Sequence, residues 1–157
     1  MLTIRKASRE DAGVLKTLIH EMATYEKLPV SFTAEALAAD GFGDHPRFRA
    51  LMAEWDGQAA GYALYFDYYS SFRGRGIYLE DIYVRPEFRG KRVGKALFAK
   101  LAAEAVQEKA FGIMFSVLHW NQPAIDFYRR LNATFLDEWK SVCLMGEALE
   151  SLAQYTL

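Results

Sequence analysis

Apolar residues recur along this chain at two spacings. In some stretches they return every three or four positions, and in others they alternate or run on, the signatures of helix and strand. Leu2 to Ala7 reads as a short edge strand. Val14, Leu15, Leu18, Ile19 and Met22 then share a helical face, preceded by Ser8-Arg9-Glu10-Asp11 in the S-x-x-D form of a capping box. A second helix is predicted from Thr33 to Gly41, with Phe32 and Leu37 at the two positions of a hydrophobic staple; Tyr25-Glu26-Lys27-Leu28-Pro29 is the turn between the helices. Phe48 to Trp55 and Gln58 to Tyr69 flank Asp56-Gly57, so an antiparallel hairpin is expected there. After a flexible segment from Ser70 to Arg75, a third strand is predicted over Gly76 to Val84, ending in the loop Arg85-Pro86-Glu87-Phe88-Arg89-Gly90. Val93, Ala96, Leu97, Leu101 and Ala105 make another helical stripe, and Phe111 to Leu118 reads as a buried strand. Asn121 can cap a helix with Pro123 in its first turn and Ile125, Tyr128 and Leu131 on one face. Two strand-like stretches, Ala133 to Leu136 and Trp139 to Leu144, and a short helix from Glu147 complete the pattern. With no linker or repeat, residues 1–157 are expected to form a single α/β domain, one mixed sheet flanked by helices.

Composition narrows the function classes. The 157 residues are 52% hydrophobic and 15% aromatic, enough for a substantial core. Lys+Arg is 19 against 20 for Asp+Glu, a net charge of −1, so the surface as a whole is not built to bind phosphates and no nucleic-acid partner is expected. No apolar run approaches a membrane span, and Met1-Leu2-Thr3-Ile4-Arg5-Lys6 lacks the look of a signal peptide; a cytoplasmic protein without a membrane partner is the expectation. Cys143 stands alone, and His20, His45 and His119 are not at zinc-binding spacing, so neither a disulfide nor a metal is expected.

The chemistry concentrates between Tyr78 and Lys95, where a strand passes through a Gly- and Arg-rich loop into a helix. Such a junction aims unpaired backbone N–H groups and a helix dipole at one point, which suits a pyrophosphate, and Arg89, Lys91, Arg92 and Lys95 add positive charge. The same residues also fit a solvated helix start. Glu80 is a carboxylate in an apolar strand; by alternation it lies with Ile82 and Val84, while Asp81 and Tyr83 face the other way. It reads either as an ion-pair partner or as a general base or amine-binding group. Tyr128, on the apolar face of the helix that Asn121 caps, fits core packing as well as a functional role, and Glu26 beside Tyr25 fits a solvated turn as well as an amine site.

Taken together, Tyr25-Glu26-Lys27-Leu28, Asp40-Gly41-Phe42-Gly43-Asp44, Ile77 to Val84, Trp120-Asn121-Gln122 and Gly146-Glu147-Ala148 resemble the GCN5-related N-acetyltransferase (GNAT) family over nearly the whole chain, and most closely its diamine and thialysine acetyltransferase branch. The resemblance implies the GNAT fold, a single mixed, mostly antiparallel sheet flanked by helices, and acetyl-CoA as cosubstrate without a metal. An ammonium cannot attack a thioester until it loses a proton, so a carboxylate base is needed, and the resemblance assigns that role to Glu80. It assigns the N–H of Ile82 to the carbonyl oxygen and the segment Ile82, Tyr83 and Val84 to pairing with the pantetheine arm. Arg89, Gly90, Lys91, Arg92, Val93, Gly94 and Lys95 would hold the pyrophosphate. Asn121, Gln122, Pro123 and Ala124 would line the cofactor further along, and Tyr128 would also protonate the departing thiolate.

One departure concerns the loop. Arg92 stands where the family usually has glycine, and a side chain there is tolerable only if it points away from the phosphates. For the amine, Tyr25, Glu26, Glu80, Asp81 and Glu138 are the candidate contacts. Ser70 and Phe72 stand where diamine acetyltransferases tend to carry an acidic residue and a tryptophan, which favours a small, lysine-like thioether amino acid over a polyamine. Polyamines (spermidine, spermine, putrescine) are the second reading; a protein acetyltransferase and a silent acetyl-CoA-binding module are the others. The branch usually forms homodimers, to which the apolar C-terminal third can contribute.

Overall fold

The computed structural model describes residues 1–155, grouped into two compact units: Met1–Ser116, and a second beginning at Val117. The first holds all five described strands, β1 (Leu2–Lys6), β2 (Arg49–Trp55), β3 (Gln58–Ser70), β4 (Gly74–Val84) and β5 (Ile113–Phe115), in the order β1-β2-β3-β4-β5. Neighbours are antiparallel except β4 and β5, which are parallel. The expected mixed, mostly antiparallel sheet is therefore present, with β1 at its edge. Asp56 and Gly57 both have positive φ, 49° and 79°, the backbone that a two-residue hairpin turn between β2 and β3 requires.

Helices α1 (Ala12–Glu26) and α2 (Ala34–Phe42) pack on one face of the sheet. The Ser8 N–H donates to Asp11 Oδ2 at 2.7 Å, and Thr33 Oγ1 accepts the Ala36 N–H at 3.1 Å, so both predicted N-terminal signals are real. Leu15, Leu18 and Ile19 bury against Ala50 and Met52 of β2, Tyr62 and Leu64 of β3, and Tyr83 of β4; Phe32 and Leu37 pack against the same cluster. Val14, expected on that stripe, lies exposed. The alternate strand residues Leu51, Ala63, Tyr65, Ile77 and Leu79 are buried as well, and helix α3 (Val93–Gln107) packs against β1 to β4 with Val93, Leu97 and Leu101 buried. Tyr65 donates to Glu104 of α3 at 2.6 Å, which fixes the face on which that helix lies.

Two expectations in this unit need correction. The segment from Ser70 to Arg75 is not a loop: Ser70 Oγ accepts the amides of Phe72 and Arg73, the chain turns, and the β3–β4 ladder runs out to Ser70 and Gly74. The strand predicted over Phe111 to Leu118 shrinks to three residues, because its pairing with β4 stops at Leu79, where β4 bulges.

The second unit carries helices α4 (Gln122–Arg130) and α5 (Glu147–Ala153). Asn121 caps α4 as expected, its Oδ1 accepting the Ala124 N–H at 3.4 Å with Pro123 in the first turn. Neither Ala133 to Leu136 nor Trp139 to Leu144 is a strand. Among the described residues they have no partner strand, and an extended segment without one does not hold a ladder.

Candidate active site

The site is organised by one extra residue. Along β3 and β4 the register pairs Tyr65 with Leu79 and then Leu64 with Asp81, so Glu80 has no partner and forms a one-residue bulge. The bulge reverses both the faces and the edges of β4. Leu79 pairs with Tyr65 on the α3 side, whereas Asp81 and Tyr83 pair with Leu64 and Tyr62 on the α1 side. Before the bulge, the Ile77 N–H points across to β5, donating to Gly112 at 3.1 Å. After it, the Arg85 N–H points the opposite way, to Ala60 of β3 at 2.9 Å, so by alternation the N–H and C=O groups of Ile82 and Val84 face away from β3. The Val84 carbonyl confirms this by accepting Arg89 Nε at 3.0 Å. Among the described strands none pairs with Glu80 to Val84 on that side, which leaves an open strand edge carrying the Ile82 N–H.

Three carboxylates come near one another here, with Asp81 on the α1 face. Glu80 is exposed at the bulge, Asp81 is partly buried beside it, and Glu26 is partly buried in the last turn of α1. Tyr62 is fully buried and donates its hydroxyl to Asp81 Oδ2 at 3.1 Å, with Met22 Sδ at 3.6 Å on the other side. Loss of hydration pushes the Asp81 carboxyl up to about 6; Glu80 and Glu26 push in the same direction, and the Tyr62 hydrogen bond opposes them only in part. Burial also raises Glu26, and it raises the Tyr62 phenol well above its ordinary value. Tyr25 is exposed under the Arg89 guanidinium, 5.3 Å from the ring centroid, and Arg89 also lies 5.9 Å from the Tyr83 ring. Tyr62 was not singled out in the sequence, and Met22 only as an apolar position of the α1 stripe. Their signal was there in principle, since the Asp56-Gly57 hairpin sets the β3 register and the α1 stripe contains Met22, but the β3–β4 register that joins them to Asp81 depends on the bulge.

Beyond the open edge, Arg85 is held by Glu21 of α1 at 2.7 Å and by the Ala59 carbonyl at 2.9 Å, fixing where the loop begins. Gly90 and Arg92 both adopt left-handed backbone, φ 74° and 65°. Arg92 pays about 1 kcal/mol for this conformation, which glycine would hold without strain, and its side chain is exposed. It is the N-cap of α3 but caps with no side chain, and the first turn of α3 contains no acidic residue. Val93 is buried, Gly94 partly so, and Lys95 exposed. Lys91 turns toward Trp55 and Phe88, 5.2 and 5.3 Å from their ring centroids.

An open strand edge with carboxylates beside it, followed by an uncapped helix start, is the setting in which comparison with known proteins becomes informative. Residues 15–133 match the acetyltransferase (GNAT) family. The chain belongs to the GNAT family. It is an N-acetyltransferase, and the sheet and helices already described are the GNAT fold. It is 42% identical over 163 aligned positions, covering 96% of each chain, to a thialysine N-epsilon-acetyltransferase of Sus scrofa. It is 37% identical to an L-ornithine N5-acetyltransferase of Arabidopsis thaliana, across 95% of this chain and 86% of that one. Among solved structures, a predicted acetyltransferase from Clostridium acetobutylicum crystallised with acetyl-CoA has the same fold, with a TM-score of 0.74 and 19% identity over 92% of this chain and 97% of that one. GNAT acetyltransferases use acetyl-CoA, and two features of this GNAT chain fit such a donor: backbone groups on an open edge for its amide-bearing arm, and first-turn amides of α3 free of side-chain caps and carboxylates for its phosphates.

The other candidate residues named from the sequence lie in the second unit. Tyr128 is buried in α4, Asn121 is its buried N-cap, and Gln122, Pro123 and Ala124 form its first turn, with Gln122 Nε2 donating to Asp126 at 2.7 Å. Glu138 is exposed in the irregular segment after α4.

Proposed function

We propose that this GNAT enzyme acetylates the side-chain amine of a small, lysine-like amino acid, with the thioether compound thialysine preferred. The observation that carries this reading is the bulge at Glu80, which puts Asp81 on the α1 face of β4 and turns the Ile82 N–H to its open edge. Asp81 and Glu26 receive the ammonium. Glu80, the exposed member, takes the amine's proton directly or through water, because the free base alone is nucleophilic. The amine nitrogen then bonds to the acetyl carbon, the carbonyl oxygen is held by the Ile82 N–H, and the carbon–sulfur bond breaks. The departing sulfur takes a proton from Tyr128. Ile82, Tyr83 and Val84 pair with the donor's arm, Arg89 to Lys95 hold its phosphates, and Asn121 to Ala124 line it further along.

The names of two relatives support a small diamino acid as substrate. A polyamine is the second reading, favoured by the clustering of three carboxylates. Release of coenzyme A thiol from acetyl-CoA, compared across thialysine, lysine, spermidine, putrescine and a lysine peptide against a blank without amine, tests both. Rapid release with thialysine supports the proposal, spermidine as the best acceptor replaces it with the second reading, and release with the peptide alone overturns both.

A homodimer in the cytoplasm completes the proposal. Trp139 and Val142, 79% and 93% exposed, lie in a strand-like stretch without a partner strand among the described residues, which suits pairing with a second copy. None of the described helices is long and apolar enough to cross a membrane.

A further inference from the structure

On the same face of the sheet as Asp81, β3 and β4 carry aromatic side chains that the acetyl transfer itself does not use. Phe66 pairs with Tyr78, and their rings stack with centroids 5.2 Å apart and planes inclined at 23°. Tyr68 leans onto Tyr78 at 6.2 Å and onto Phe111 at 6.2 Å. Phe111 covers Gly76, where any Cβ would collide with its ring, and the Tyr78 hydroxyl is hydrogen-bonded to Ser116 Oγ at 3.1 Å. The stack is thus pinned from several sides, yet Phe66 and Tyr78 are only partly buried.

Its position follows from the register. Leu64 and Phe66 are successive β3 residues on the α1 face, so the Phe66–Tyr78 pair lies one two-residue step, roughly 7 Å, from the Leu64–Asp81 pair. That is the distance spanned by the few chain atoms next to an amine held by Asp81, Glu26 and Glu80. The carboxylates recognise an ammonium and respond to thialysine and lysine through the same charge. A rigid ring surface responds to the chain. Divalent sulfur is polarizable and makes favourable contacts with aromatic rings about 5 Å away, which a methylene does not match.

We infer that the Phe66–Tyr78 stack is the specificity-determining wall of the acceptor site and selects a thioether chain over an all-methylene chain. The inference rests on the amine-acetyltransferase reading above and names the residues that set its substrate preference.

The test is the ratio of kcat/KM for thialysine to kcat/KM for lysine in the wild type, Phe66→Leu, Tyr78→Leu and Tyr78→Phe, each checked for folding by circular dichroism. The different basicities of the two amines cancel when the ratio is compared between proteins. Phe66→Leu and Tyr78→Leu are expected to lower the ratio roughly two- to tenfold. Tyr78→Phe, which keeps the ring and loses only the hydroxyl, is expected to keep the wild-type ratio, and so serves if a leucine variant does not fold. An unchanged ratio in a folded leucine variant overturns the inference while leaving the acetyltransferase reading intact, as does a lowered ratio in Tyr78→Phe. Failure of the wild type to acetylate either amine overturns the reading on which the inference rests.

Discussion

At Asp81 a carboxylate gives up hydration and gains one hydrogen bond from Tyr62, while Glu26 and Glu80 repel its charge. Its pKa rises from 3.8 to about 6, so the folded protein binds the proton more tightly than the unfolded chain does. The stability penalty is therefore absent below pH 4, grows between about pH 4 and 6, and is complete above it, reaching up to about 3 kcal/mol. Asp81→Asn, which keeps an acceptor for Tyr62, is expected to be more stable than the wild type at pH 8 and equal to it at pH 4. Urea unfolding at the two pH values checks this, and an equal difference at both contradicts it. Tyr128→Phe is expected to lower kcat by one to two orders of magnitude with little change in the KM for acetyl-CoA, measured by steady-state kinetics. Glu80 and Asp81 were legible in the sequence as carboxylates in an apolar strand. Tyr62 was not, because an interior tyrosine in an apolar run carries no mark of the carboxylate it will meet across the sheet. Nor was the left-handed backbone of Arg92, for which an arginine gives no local signal.

Between elements, the decisive feature is the β3–β4 pairing around the bulge. Helix caps, the α1 stripe and the Asp56-Gly57 hairpin were readable because their causes are local. The bulge was not, since simple alternation places Leu79 and Asp81 on one face and only the register separates them. Gly61 makes this pairing possible: a Cβ there would run into the Tyr83 carbonyl oxygen and lie 3.1 Å from Val84 Cα, both backbone groups with nowhere to move. Gly61→Ala is therefore expected to cost about 1–3 kcal/mol and to raise the KM for acetyl-CoA, because the open edge next to Ile82 and Val84 shifts with it. Thermal unfolding together with acetyl-CoA titration checks both effects; an unchanged KM contradicts the link between Gly61 and the edge. The strands expected over Ala133 to Leu136 and Trp139 to Leu144 show the opposite failure. Their residue types suit a strand, but residue type alone forms no ladder, and a strand also needs a neighbour.

For the molecule as a whole, the proposed homodimer supplies that neighbour. Val142→Asp is expected to turn a dimer into a monomer at micromolar concentration, measured by sedimentation, without disturbing the first unit; a wild type that sediments as a monomer contradicts the dimer. The GNAT fold and the acidic segment at Glu80 could be read from the sequence, whereas the combination of Asp81 on the α1 face and a free edge beside it came only with the three-dimensional register. The central claim is that this bulge creates the site where the amine loses its proton. The most direct measurement is the pH–rate profile of wild type and Glu80→Gln with thialysine as acceptor. The account predicts that activity in Glu80→Gln is lost near neutral pH and returns toward high pH, where the free amine is already abundant. Superimposable profiles would contradict it.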